Sequence, residues 1–409
     1  MHIATRMISV SSLYKFGNGA ASCKALQVES IHDQELIGFF KYGNSPYFSL
    51  IKKILFIASH RSDRAPGQRF RFEQYFEYLG EHGFQCDLSF LLDEKDDKIL
   101  YSKGNYHLKA DILRRNYLKR SADLRRTKDY DVVFIFREAL MTRSTYFEMK
   151  FARTGAKIIY DFDDAIWMND TSAANKFFSW MKNPSKIAKS IAVSDLVFAG
   201  NAYLKDYASR FNENVVVVPT TIDTDEYRRI PRISNDEAIV IGWSGSITTI
   251  KHFEYAIPFL KILKKDYGDK VRIKVIGDAN YRNEELNIVG LGWNRKDEVM
   301  ELSDIDIGIM PLPDDPWARG KCGLKGLQYM ALSIPTIMSP VGVNTEIIQD
   351  GVNGFLAGNT EEWIQKISRL IEEPALRVSM GEAARNTVEV KFSVRANKEL
   401  YLRLFQSLF

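Results

Sequence analysis

A chain of 409 residues is longer than one hydrophobic core usually fills, so two domains are expected, and 45% hydrophobic with 12% aromatic residues excludes a disordered or low-complexity protein. Lys and Arg total 56 against 52 Asp and Glu, and the net charge of +4 is too balanced to argue for a nucleic-acid partner. No apolar run approaches the length of a membrane-spanning helix, stretches such as Val132 to Phe136 being strand-sized, and Cys23, Cys86 and Cys322 form neither a C-x-x-C pair nor a metal-ligand spacing. Free thiols in a reducing cytoplasm are expected.

Residues 1–50 show no hydrophobic periodicity, and Ile8 to Leu13 is interrupted by Ser9, Ser11 and Ser12, so this stretch reads as an extension outside the core and not as a signal peptide. At Lys52 the pattern changes. KKILFIAS predicts a first buried strand, and a loop carrying Gly67 follows it. Phe72, Tyr75, Phe76 and Leu79 fall at i, i+3, i+4 and i+7, which predicts one helix stopped by Gly83 before a strand around Cys86 to Leu92. Between Lys103 and Lys128 the pattern is helical and basic, with Lys109, Arg114, Arg115, Lys119, Arg120, Arg125 and Arg126 against Asp111 and Asp123. A surface helix packed on its domain fits this, and so does a peripheral contact with anionic lipid at the inner face of a membrane.

DVVFIF and KIIYDFDD are two further strands, the second ending in Asp161, Asp163 and Asp164. Carboxylates at the C-terminal end of a strand lie where open α/β sheets bind ligands, yet three so close repel and need partners, so an active-site role and a structural one both stand. The helix Ile187 to Ser194, the strand Leu196 to Ala199, Asn201 and the strand VVVVPTTID complete an alternating β/α series, the mark of a doubly wound parallel sheet.

The alternation restarts with AIVIGWSGS, a strand running into a Gly-Ser loop, and a helix carrying Phe253, Ile257 and Leu260. VRIKVIGD, the segment through Trp293, DIDIGIMPL and GVNGFLA continue it. Two α/β units result, 51–225 and 226–392. Within the second, Pro311 to Pro340 reads as a strand end, a loop rich in Pro, Asp and Gly, a helix opening near Gly323, and an apolar strand. Lys321 and Lys325 flank that helix start, where unpaired N–H groups point outward, and two ammonium groups repel there unless an anion sits between them. A pyrophosphate would supply the charge. An ordinary amphipathic helix packing Leu324, Leu327 and Ala331 fits the same spacing.

With both halves read, the chain from about Lys52 onward resembles the family 4 glycosyltransferases of the GT-B fold. The resemblance rests on KKILFIAS with Gly67, DLVFAGNAYLKDYA, VVVVPTTID, the IGWSGS loop, DIGIMPL and KCGLKGLQYMALSIPTIMSPVGVNTEIIQDGVNGFLA, in that order. It implies two Rossmann-like doubly wound domains facing a cleft, the first turned to a carbohydrate or lipid-linked acceptor and the second holding a nucleotide sugar, with the last helix, about 393–409, crossing back to the first domain. Carried over by position, Gly245 and Ser246 approach the diphosphate, Lys251 or Lys325 neutralises it, Lys321 and Gly323 belong to the same cradle, Gln328 meets the ribose, and Gly67 of the first domain joins the nucleotide-sugar-binding residues. The resemblance further implies a retaining, metal-independent transferase with no cofactor besides its donor substrate, working in surface polysaccharide or glycolipid synthesis.

The departures from the family pattern are specific. Gly320 and Gln328 stand where the family usually places two glutamates, with Asp314 or Asp315 as substitutes for the first, and Ser244 to Ile250 contains no base. No histidine lies beside the Asp161 to Asp164 strand, leaving Asp163, Asp164 and His60 as the catalytic candidates. The missing glutamate pair also admits an inactive GT-B scaffold, and the fold a nucleotide-sugar epimerase.

Overall fold

The computed structural model describes residues 51–102, 104–168, 184–231 and 237–409. The N-terminal extension and Cys23 lie outside them. Two parallel sheets organise the chain. The first is built from β1 (Lys52–Ile57), β2 (Phe84–Ser89), β3 (Val132–Phe136), β4 (Lys157–Phe162), β5 (Leu196–Ala199) and β6 (Val215–Val217), in the order β2-β1-β3-β4-β5-β6. The second contains β7 (Ile239–Ser244) and β8 (Val271–Ile276), then, after a small antiparallel ribbon of β9 (Arg282–Asn283) and β10 (Ile288–Val289), β11 (Ile307–Met310), β12 (Thr336–Met338) and β13 (Phe355–Leu356), in the order β13-β12-β11-β7-β8. The central strands are apolar on both faces, all five residues of β3 being buried, as parallel strands covered by helices on each side must be.

The C-terminal helix, Val394–Gln406, packs on the first sheet: Tyr401, Leu402 and Phe405 share a core with Phe56, Phe134 and Phe198, and Tyr401 stacks on Tyr75 at 4.2 Å. A bridge between Ile222 and Ser393 fixes where the segment re-enters, and the Ser393 hydroxyl caps its helix by accepting from the Ala396 amide.

Two sequence expectations change in three dimensions. The helix expected through Phe72 to Leu79 is broken at Phe72, where φ is −144°, into Pro66–Arg71, a single 3-10 turn and Phe76–Glu81. Gln68, Arg69, Phe70 and Arg71 are buried all round the first piece, and no single helical stripe can serve that many directions. The basic helix, Tyr106–Arg126, spends most of its charge internally. Lys109 and Arg120 are buried, Arg120 donating to the Ala58 and Ala139 carbonyls and pairing with Asp123, while Arg114 and Arg115 hold Asp111 and Arg126 holds Asp123. Much less free positive charge faces outward than the composition suggests. No helix among the described residues is long and apolar enough to cross a membrane.

Candidate functional site

The C-terminal ends of β3 and β4 carry a chain of charges. Asp161 is wholly buried against Arg71, whose Nε donates to Oδ2 at 3.2 Å and whose Nη2 donates to Oδ1. Arg137, held at a left-handed φ of +62° just after β3, donates from Nε to Asp163 Oδ1 at 2.7 Å and from Nη2 to Asp164 Oδ2 at 2.8 Å. Lys321, from the second lobe, donates to the other oxygen of Asp164 at 2.7 Å. Burial works against ionising Asp164, but Lys321 and Arg137 outweigh it and hold the carboxyl below its ordinary range. A carboxylate held ionised between two cations is a poor proton carrier. Of the two catalytic candidates from sequence, Asp164 holds Arg137 and Lys321 together, and Asp163 pairs with Arg137.

The second lobe reaches this chain through the loop after β11. Asp315 caps the short helix Pro316–Arg319 by accepting from the Ala318 amide, and Gly320 then lies against Ala165 so closely that an added Cβ would sit 2.7 Å from the Ala165 Cβ and 2.8 Å from its amide nitrogen. The Asn201 amide donates to the Lys321 carbonyl at 3.0 Å, and the Cys322 thiol, buried, donates to the Asp163 carbonyl at 3.2 Å. The lobes touch here with no room for a side chain. Gly323 turns the chain at φ +70° into the helix Leu324–Ala331, a conformation glycine adopts without strain.

Lys321 and Lys325 are brought together at that helix start as the sequence expects, but they are not equivalent. Lys325 has no carboxylate partner among the described residues; its ammonium lies over the Trp243 ring, 4.6 Å from the centroid. Burial, with Lys321 adding its repulsion and Asp164 only partly opposing, pushes its pKa down to about 7. This half-buried cation therefore sits in the first turn of a helix, where N–H groups have no intrahelical partner, with an indole against it and Asp164 as a more distant opposing charge. Trp243, at the end of β7, was not among the sequence candidates.

The remaining candidates divide. Ser246 is exposed and caps the 3-10 turn that follows it, exchanging hydrogen bonds with Thr249, while the space above Gly245 is filled by the Trp243 indole, 2.2 Å from an added Cβ. Lys251 lines a groove of ≈ 320 Å³ with His252, Glu254, Tyr255, Pro313 and Asp315, beside the ends of β7 and β11. Gly67, expected near the donor, packs on Asp163, Phe136 and Arg137, its missing Cβ leaving room for that ion pair. His60 donates its backbone amide to Gln68 and shares a hydrogen bond between Nε2 and the Tyr101 hydroxyl at 3.1 Å.

Gln328 does not stand free to meet a ribose. It is buried, and its amide nitrogen donates to Glu298 Oε1 at 3.0 Å and to the Tyr227 hydroxyl at 3.2 Å. Glu298 also accepts from Trp293 Nε1 at 3.0 Å, from the Tyr227 hydroxyl at 2.7 Å and from Arg69 Nη2, so four donors converge on one carboxylate that ties the first lobe to the second. No local pattern marks Glu298, which lies 30 residues before its glutamine partner.

Comparison with known proteins agrees with this architecture. Residues 238–373, which make up most of the second lobe, match the family model described as glycosyl transferases group 1. An uncharacterized glycosyltransferase of Methanocaldococcus jannaschii is 24% identical over 311 residues, 68% of this chain and 76% of that one. The capsular polysaccharide biosynthesis glycosyltransferase CapM of Staphylococcus aureus is 26% identical over 174 residues, 40% of this chain and 44% of CapM. Among solved structures, sucrose-phosphate synthase from Thermosynechococcus elongatus superposes with a TM-score of 0.65 at 14% identity, covering 88% of this chain and 99% of that one. Anabaena HepE, solved with UDP and glucose, superposes with a TM-score of 0.60 at 14% identity, covering 87% and 100%. The two sheets and these relatives together identify the chain as a glycosyltransferase of the GT-B fold, with a glycosyl transferases group 1 domain at 238–373.

Proposed function

We propose that the enzyme transfers a sugar from a nucleotide diphosphate sugar to a hydroxyl acceptor, with retention and without a metal ion, in assembling a surface polysaccharide or glycolipid. The observation that carries the donor assignment is Lys325, a half-buried ammonium with no carboxylate partner among the described residues, set beside Lys321 at the start of the helix Leu324–Ala331. A diphosphate seated there gains the unpaired cation and the helix amides together. As the bond to the anomeric carbon breaks, negative charge grows on the leaving phosphate, and Lys321, Lys325 and the amides stabilise it in the transition state. The pathway assignment leans on CapM, a capsular polysaccharide enzyme, and the donor class on HepE, solved with UDP and with UDP-glucose.

The test is thermal stabilisation by a panel of nucleoside diphosphates and nucleotide sugars. A ligand at about 100 times its dissociation constant adds about 2.7 kcal/mol. Stabilisation by one nucleotide, lost in Lys325→Ala, is the expected result; stabilisation that survives that substitution unchanged refutes the site.

A further inference from the structure

The first lobe carries a second excess of positive charge, separate from Lys325. In the loop after β1, Arg61 and Arg64 both donate to one carboxylate, Asp97, whose side chain is 7% exposed while theirs are 33% and 36% exposed. Neighbouring carboxylates are already engaged: Asp63 with Arg295, Glu94 with Lys98, Asp96 with Arg115. Two cations therefore share one anion. His60, next in the chain, adds no charge. Its burial, helped by Arg64, Arg137 and Arg61 and opposed by Asp97, pushes the imidazole pKa down to about 4.

Beside this pair stands an aromatic surface. Tyr101 is 57% exposed, its ring lies 14° from parallel to that of His60, and its hydroxyl meets Nε2 at 3.1 Å. The loop leaves the C-terminal end of β1, next to β3, and β3 ends at the Arg137 that holds Asp163 and Asp164, the latter anchoring Lys321. This cluster and the Asp164 contact through which Lys321 of the second lobe reaches the first thus lie at the same end of the first sheet. Guanidinium groups short of carboxylate bind phosphate or carboxylate in a forked geometry, and an exposed ring offers its apolar face to the C–H surface of a sugar.

We infer that Arg61, Arg64 and Tyr101 form the acceptor subsite and select an acceptor that carries a phosphate or carboxylate group. This rests on the donor reading above, which assigns the nucleotide to the facing lobe.

The experiment is calorimetric titration of the full chain with UDP already saturating, using glucose 1-phosphate, glucuronate and methyl glucoside as probes. At least one anionic probe should bind about tenfold or more tighter than methyl glucoside, and which one binds identifies phosphate or carboxylate as the anion. The double substitution Arg61→Gln with Arg64→Gln should weaken that probe about tenfold or more and leave UDP affinity unchanged. Tyr101→Glu, at an exposed position, should weaken it by like-charge repulsion without removing an arginine, and keeps the test decisive if the double variant does not fold. Anionic probes that bind only when UDP is absent, neutral sugar that binds as tightly, or variants with unaltered probe affinity each overturn the inference. Probe binding that depends on Arg61 and Arg64 in a chain that does not bind UDP would instead sink the donor reading and leave this subsite standing.

Discussion

Gln328→Glu, which restores the residue type usual in the family, is expected to damage this protein. Glu298 already places a carboxylate 3.0 Å from the Gln328 amide nitrogen, and among the described residues Arg69 is the only cation hydrogen-bonded to the cluster. A second carboxylate there removes a donor from Glu298 and sets two like charges in contact where the side chain at 328 is 5% exposed. The least costly response is for the new carboxyl to stay protonated. At pH 7 that costs about 3–4 kcal/mol, the distance from an unfolded-state glutamate pKa of about 4.3 at 1.36 kcal/mol per unit. For a folded unit of this size the loss lowers the melting temperature by about 5 °C. The sign of the pH dependence follows. Because the folded-state pKa of the introduced acid is raised, the penalty is absent below about pH 4, grows as pH rises, and at pH 5 is only about 1 kcal/mol. Thermal unfolding of both proteins at pH 5 and pH 7 tests this. A deficit of equal size at both pH values, or no deficit at all, would show that the Glu298 cluster does not set the identity of residue 328.

The companion restoration, Gly320→Glu, should abolish most turnover while leaving UDP affinity nearly intact, because its Cβ would collide with Ala165 across the lobe contact; wild-type kcat would refute a need for that contact in turnover. Lys325→Ala should weaken UDP-glucose binding about 10- to 100-fold, the worth of a hydrogen bond to a charged group at about 1.5–3 kcal/mol, read by calorimetry. With the empty-site pKa of Lys325 near 7 and raised by a bound diphosphate, UDP-glucose affinity should be full below pH 7 and fall as pH rises through the bound-state value, a slope absent from Lys325→Ala. Arg137→Ala leaves Asp164, 17% exposed, with Lys321, and takes from Asp163, 12% exposed, its cation partner among the described residues. It should cost up to about 3 kcal/mol at pH 7, reduced from a fully buried pair because Arg137 is 35% exposed. That deficit should be full above the ordinary aspartate range and shrink as pH falls through the lowered value of Asp164, and one that does not shrink at acid pH would show that packing, not charge, is what Arg137 supplies.

Element type and order were legible in the chain because they follow from local patterning: apolar runs such as KKILFI and VVFIF can only be covered parallel strands, and Gly323 before LKGLQYMA marks a helix start whose amides need an anion. The ordered motifs were enough to reach the GT-B architecture and to set Lys321 and Lys325 at one helix start. The helix through Phe72 to Leu79 misled because its apolar spacing is real while the burial of Arg69 and Arg71 just before it answers to Glu298 and Asp161, far away in sequence. The ion pairs within the basic stretch were not legible for the same reason, since composition counts charges and only the fold pairs them.

What the sequence determined alone, then, is the succession of strands and helices and the chemical character of their ends. Which charges remain free was decided by tertiary structure, through partners 157 residues apart for Lys321 and Asp164 and 229 apart for Arg69 and Glu298. Periodicity records which face of an element is apolar, whereas an ion pair depends on where two elements end up in space. The Gly320 and Gln328 departures look like losses in the chain, and they become accommodations once Ala165 and Glu298 are seen to occupy the places beside them.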